Sequence, residues 1–266
     1  PVRFYVRGPL MEMRILQEMD IKQYQEQGYL IVENLISDEE IKQLRQRTED
    51  IIAGHIPEYP SSTIELEPGA NRIEMKTVRK LNACAENDAV FLSHAKHEKV
   101  LDIVESILGP DIKMYASQGF LKPPGGVEKP YHQDSAYFDI EPMNLVTCWT
   151  ALDDVTLKKG PMWVIPGSHQ NGIIDHSLKW KVRDRQDKQV PDNLIDHANE
   201  KPIIMPAGSC SFHHSLLLHR STANLSNQSR RGLAIHYMSA NSRWTNSKNP
   251  QPSYILMRGQ EYPGCV

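Results

Sequence analysis

Beyond Pro110 the chain breaks into short apolar runs set between Gly and Pro turns, and this punctuation constrains the fold more than any other feature. The turns Pro123-Pro124-Gly125-Gly126, Pro166-Gly167 and Pro206-Ala207-Gly208 separate candidate strands at Leu145–Leu152, Met162–Ile165, Ser209–His213 and Gly232–Met238. Many short strands with such turns indicate a β-sandwich or barrel. The first third has a helical period instead. Asp20 is placed to cap a short helix carrying Ile21 and Tyr24 that stops at Gly28, and Tyr29–Val32 comes next as a strand. Ser37 and Glu40 form a capping box for a helix that repeats Ile41, Leu44 and Ile51 on one face. A further helix over Lys99–Leu108, with Val100, Leu101, Val104, Ile107 and Leu108, is closed by Gly109-Pro110. These helices read as a brace for the β region.

With 266 residues, 39% hydrophobic and 24% charged, the chain suits one globular domain. We expect that domain over 11–266, with a mainly helical brace carrying one or more strands at 11–110 and a β core at 111–245. The polar, aperiodic stretch 170–201 is longer than an ordinary connection and reads as a lid inserted in that core. Residues 1–10 connect poorly to the first helix and read as an expression remnant ahead of Met11 or Met13. A net charge of −3 gives no basic field for nucleic acid. The one basic run, Lys179 to Arg185, is mixed in sign. No apolar run has transmembrane or secretory length, so a soluble, cytoplasmic protein is the expectation. Cys84, Cys148, Cys210 and Cys265 are scattered and read as free thiols. Oligomeric state is not legible.

Tyr131-His132-Gln133-Asp134 puts an imidazole and a carboxylate two residues apart, and on a strand such residues share a face. A His-x-Asp pair alone is weak evidence and needs a third ligand, for which His213, His214, His219 and His236 are candidates. Two histidines and one carboxylate suit iron(II), leaving three adjacent positions for a chelating 2-oxo acid and dioxygen. Such chemistry needs a buried cation for the far carboxylate of the 2-oxo acid, and the planar fork of Arg suits it. Arg230 and Arg231 lie downstream of His219. On a strand starting there, Arg230, Gly232, Ala234 and His236 share one face, a charged anchor followed by small residues.

At these residues the chain resembles the phytanoyl-CoA dioxygenase family of iron(II)/2-oxoglutarate oxygenases. The resemblance runs from about Tyr24 to Trp244. It rests on His132-Gln-Asp, Cys148-Trp149-Thr150-Ala151-Leu152, Gly160 leading to Ile165-Pro166-Gly167-Ser168-His169, and His219-Arg-Ser221 followed by Asn224-Leu-Ser, Arg230 and His236-Tyr237. It implies a double-stranded β-helix, a cupin-like jelly roll braced by helices. It also implies iron(II) on His132, Asp134 and His219, with the 2-oxoglutarate carboxylate on Arg230, eleven residues past His219. Ser221, Lys80 rather than Lys76, Trp149 and Met114 carry over as further cosubstrate contacts, although Trp149 and Met114 taken alone read as core residues. His169 reads as structural, and His236 as lining the pocket.

The implied reaction consumes dioxygen and 2-oxoglutarate, releases succinate and carbon dioxide, and hydroxylates an unactivated carbon of a small metabolite or natural-product intermediate. The rivals are desaturation, epoxidation, cyclisation or rearrangement with the same cofactors, a non-catalytic cupin-like binding module, and a zinc hydrolase. The lid and the loop from His55 to Arg72 are expected to select the substrate. Acyl-CoA specificity is not inferred, because several phosphate-binding cations would be needed.

Overall fold

The computed structural model describes residues 18–182 and 184–266, with side chains from Asp20 onward; the expected remnant at 1–10 lies outside them. The chain opens with helix α1 (Glu18–Gln27), strand β1 (Tyr29–Val32) and helix α2 (Asp38–Ile52). Asp20 lies inside α1 and does not cap it, a correction to the expected start. The end is as expected. Gly28 takes φ +80°, and a Cβ there would press on the His169 ring. At α2 the Ser37 hydroxyl accepts from the Glu40 N–H while the Glu40 carboxylate accepts from the Ser37 N–H. This reciprocal cap satisfies two otherwise orphaned donors.

Strands β2 (Ile64–Leu66) and β3 (Val78–Asn82) precede α3 (Cys84–Asn87), α4 (Ala89–Ala95) and α5 (Glu98–Leu108). The β region then runs through β4 (Ile112–Lys122), β5 (Lys129–His132), β6 (Ile140–Glu141), β7 (Leu145–Ala151) and β8 (Met162–Val164). It continues through β9 (Leu178–Val182), β10 (Arg185–Gln189), β11 (Lys201–Pro202), β12 (Cys210–His214) and β13 (His219–Ser221), and ends with β14 (Arg230–Ser239), β15 (Arg243–Trp244) and β16 (Ile255–Arg258).

Two antiparallel sheets face each other. The larger has the order β1-β12-β7-β14-β4-β3-β2, with β16 also on β4; the smaller has the order β11-β8-β13-β5. The architecture is the expected mainly β, cupin-like jelly roll with helices bracing one sheet. The N-terminal third does more than brace, since β1, β2 and β3 complete the larger sheet, and so does β16 beyond residue 245.

Alternation separates the two faces of the larger sheet. Outward, Cys148, Phe212, Leu233, Ile235 and Tyr237 pack with Ile41, Leu44, Val100 and Val104 of the helices into the main core. Inward, Trp149 and Ala234 meet Val164 and Leu217 of the opposite layer. The region 170–201 is not without regular structure: β9 and β10 pair as a hairpin whose tenth-strand side lies beside β5. Its alternation joins exposed to half-exposed residues, which is why no hydrophobic period marks it. Cys84, Cys148, Cys210 and Cys265 are free, as expected. Among the described residues no helix is long and apolar enough to cross a membrane.

Candidate metal and cosubstrate site

His132 ends β5, and His219 opens β13 directly opposite it. Asp134 is not on the strand: the chain turns after His132 into a 3-10 helix over Asp134–Tyr137, which carries the carboxylate back toward the imidazoles. The shared face expected from strand spacing therefore arises by a turn. Asp134 Oδ1 lies 3.8 Å from His132 Nε2 and 3.5 Å from His219 Nε2. The three ligand atoms lie within 4.8 Å of one another, a spacing that one metal ion can bridge.

The surroundings decide which atoms are free to bind. His132 Nδ1 donates to Pro130 O and His219 Nδ1 to Leu217 O, both at 2.9 Å. A carbonyl only accepts, so each ring carries its proton on Nδ1 and turns an Nε2 lone pair to the centre. Burial pushes both imidazoles down, His219 to about 4, and both are neutral at pH 7. Burial alone would raise the Asp134 carboxyl, but His219, the His213 hydrogen bond and His236 together hold it well below the usual carboxylate range.

Asp134 Oδ2 accepts from Thr147 Oγ1 at 3.0 Å and His213 Nε2 at 3.3 Å, which leaves Oδ1 for the ion. Because the Thr147 proton is committed to the carboxylate, His236 Nδ1 must donate to Thr147 Oγ1, at 2.8 Å. Thus His213 and His236 act behind the carboxylate, and His214 leaves the cluster to accept from the Leu216 N–H. The part played by His213 and Thr147 was not foreseen, for only the folded registry puts them beside Asp134. His169 bonds the Gln25 carbonyl, as expected of a structural residue.

A cavity of about 220 Å³ opens from the triad between the two sheets. Arg230 is 5% exposed, lies over the Trp149 ring at 5.2 Å, and its Nε has no hydrogen-bond partner among the described residues. Burial lowers the guanidinium to about 10, still charged at neutral pH. Arg231 points the opposite way, onto Asp153 and Glu49. A Cβ on Gly232 would overlap the Trp149 indole, so this glycine makes room for the ring that Arg230 rests on. Ser221 lines the same end. Its hydroxyl accepts from Lys122 Nζ at 2.8 Å, and that ammonium also donates to Thr222 O at 2.6 Å. Lys122 was not singled out in sequence; its only signal is its place on the alternating inward face of β4.

Lys80 reaches the cavity wall, 3.4 Å from Glu65 and 5.7 Å from the centre of the Phe120 ring. Met114 does not line the cavity and sits in the core against the helices, a correction to its expected role. The reason is a bulge in β4. Ala116 pairs with His236 and Met114 with Tyr237, leaving Tyr115 as an extra residue that turns everything before it to the other face. From the two regions expected to select the substrate, Arg185 and Asp187 of β10 and Glu67 reach the cavity.

The residues fit the groups that the fold implies. Two neutral nitrogens and one carboxylate oxygen suit a six-coordinate divalent iron with adjacent open positions. A buried guanidinium with no acidic partner among the described residues suits a carboxylate.

A jelly roll that gathers two imidazoles and a carboxylate beside such a guanidinium defines the class of non-haem iron oxygenases. The sequence profile described as "Phytanoyl-CoA dioxygenase (PhyH)" matches residues 24–232, and the chain belongs to that family of iron(II)- and 2-oxoglutarate-dependent oxygenases. The peroxisomal phytanoyl-CoA dioxygenase of Rattus norvegicus is 26% identical over 92% of this chain and 75% of its own. L-proline trans-4-hydroxylase of Streptomyces griseoviridis is 28% identical over 95% of this chain and 94% of its own. In fold, the chain is similar to EctD from S. alaskensis, solved with 2-oxoglutarate and 5-hydroxyectoine. There the TM-score is 0.74 at 20% identity, covering 99% of this chain and 91% of that one.

Proposed function

We propose that the chain hydroxylates an unactivated carbon of a small molecule, with His132, Asp134 and His219 holding iron(II) and Arg230 holding the distal carboxylate of 2-oxoglutarate. The observation that carries this reading is the buried Arg230, which has no acidic partner among the described residues, in the same cavity as the triad. The distal carboxylate of a 2-oxo acid chelated at the triad would complete that cation. The hydroxylase relative favours hydroxylation among the possible outcomes.

When bound, iron(II) supplies dioxygen activation coupled to decarboxylation of 2-oxoglutarate, giving succinate, carbon dioxide and an oxidised substrate. The protein's part is positioning. Pro130 O and Leu217 O fix the ring tautomers, and Thr147 and His213 fix the carboxylate. Ser221, oriented by Lys122, joins Arg230 at the cosubstrate carboxylate, and Trp149 keeps water from its guanidinium. Lys80 lines the cavity, which supports its carry-over from the family resemblance as a cosubstrate contact.

Gln133, between the two ligands, ties the lid to the centre. Its amide donates to Gly172 O and Leu216 O and accepts from the Ile174 N–H. Gln133 thereby connects the proposed ligands to residues 172–174 at the base of the expected lid.

The test is anaerobic titration of the iron(II)-loaded protein with 2-oxoglutarate, watching for the visible metal-to-ligand charge-transfer band. The band is expected in the wild type and at much higher 2-oxoglutarate in Arg230→Ala. Iron binding with no band would return the chain to the binding-module reading.

A further inference from the structure

Seven cationic side chains line the cavity, and four of them have acidic partners: Arg79 and Lys80 on Glu65, Arg185 on Asp187, and Arg220 on Glu200. Arg230 and Lys122 lie at the Ser221 end, where the cosubstrate carboxylate is placed. Lys129 is left over. Among the described residues it has no hydrogen-bonded or ion-paired partner, and its ammonium lies 4.8 Å from the centre of the Tyr137 ring.

Lys129 faces the cavity because of a second bulge. Across the smaller sheet His219 pairs with His132, but Ser221 pairs with Lys129, so two steps on β13 answer three on β5. Regular alternation would send Lys129 away from the side that His132 faces. The extra residue turns it inward, where its charge is felt by both His132 and His219. Lys129 is thus a half-buried cation turned toward the triad by a special backbone feature, with no direct ion pair among the described residues, and an anion in the cavity would complete it.

The hairpin closes the other side. Lys188 lies over the same Tyr137 ring at 5.1 Å, and its backbone N–H donates to the Tyr137 hydroxyl at 3.2 Å. Tyr137 thus touches both the lid and Lys129. Asp187 and Asp134 offset part of the burial that lowers the Lys129 ammonium to about 8, so it is charged at neutral pH.

We propose that Lys129 is the substrate anchor and that the substrate carries a carboxylate, held on this ammonium under the β9–β10 hairpin beside the metal. The inference rests on the oxygenase reading above and names its substrate class. One ammonium beside an aromatic ring matches a monoanionic carboxylate; a phosphate would call for several converging cations.

The probe is acetate, with acetamide as its neutral counterpart, added to anaerobic protein saturated with iron(II) and 2-oxoglutarate so that Arg230 is already engaged. One readout is the charge-transfer band. The other, in manganese(II)-loaded protein, is relaxation of the probe's methyl protons by the nearby metal. Acetate should perturb both and acetamide neither. Lys129→Met should weaken acetate at least about tenfold, the scale of one charged hydrogen bond, and Lys129→Arg should restore it. The half-saturation for 2-oxoglutarate should not move in either variant.

If 2-oxoglutarate gives no band in the wild type, the oxygenase reading itself fails and this inference falls with it. A normal band that ignores acetate, or responds equally to acetamide, overturns the inference alone, even where Lys129→Met does not fold. So does an acetate response that survives in Lys129→Met, or weakened 2-oxoglutarate binding there, which would assign the lysine to the cosubstrate.

Discussion

The same strands of the larger sheet build two surfaces of opposite character. On β14, Leu233, Ile235 and Tyr237 are buried against helices, while Arg230, Ala234 and His236 on the other side border the cavity. On β7, Cys148 joins the core, while Thr147 bonds Asp134 and Trp149 supports Arg230. The outer surface is apolar and interchangeable within limits of volume; the inner one is polar and holds charges that folding alone does not neutralise. The main core lies on one face and the chemistry on the other, beside a smaller apolar cluster around Trp149 and Ala234, a division that substitutions can break.

The largest effect should come from the inner side. His219→Ala is expected to abolish iron binding and turnover, read by metal analysis and succinate release, while the metal-free protein keeps its stability to within about 1 kcal/mol. A large loss of stability without metal would mean that the faces are not separable. Next, Phe212→Ala on the outer face should lower stability by about 3–5 kcal/mol in urea unfolding, through the cavity it leaves. Iron affinity of the remaining folded protein should stay unchanged.

Arg230→Ala should raise the 2-oxoglutarate requirement by about ten- to a hundredfold in steady-state assays, the loss of a charged bidentate contact, and should not destabilise the metal-free fold. Arg231→Ala should leave that requirement alone and disturb only the outer ion pairs to Asp153 and Glu49. The reverse pattern would shift the strand register by one.

The smallest effect concerns pH. His94, behind the sheet and bonded to Thr150, is lowered by burial to about 4. An unfolded histidine takes up its proton near 6.5, so the unfolded state binds more protons below that pH. Stability of the metal-free protein should therefore fall as pH drops from about 6.5 through about 4. Urea titrations across that window should show a shallower decline in His94→Gln. An unchanged slope would remove His94 from the account.

The same contrast explains what the sequence made legible. The outer face follows strict alternation and helical period, so the strands, the Ser37–Glu40 cap and a sandwich or barrel class could be read directly, whereas the jelly roll and the choice of Arg230 over Arg231 came from the family resemblance. The inner face depends on departures from regularity. A bulge at Tyr115 removed Met114 from the cavity, another in β5 brought Lys129 into it, and a turn rather than a strand carried Asp134 to the histidines. An inserted residue has no composition of its own, so counting positions along the chain cannot register it. The β9–β10 hairpin escaped for a related reason: too few of its residues are buried for a period to show.

The pairing of His132 with His219 has a mechanical side. The two proposed ligands stand opposite each other on strands of four and three residues, and the chain between them travels through the larger sheet and the lid before returning. An ion bound at this point fastens a long loop at its neck, where closure is entropically costly and few backbone bonds share the strain. Without it, the β5–β13 junction should be the first part of the barrel to exchange its amide hydrogens, ahead of the helix-backed sheet. Iron, on this view, is the clasp of the vessel as well as its reagent, and a cell short of the metal would hold a looser protein rather than an intact one waiting to be filled.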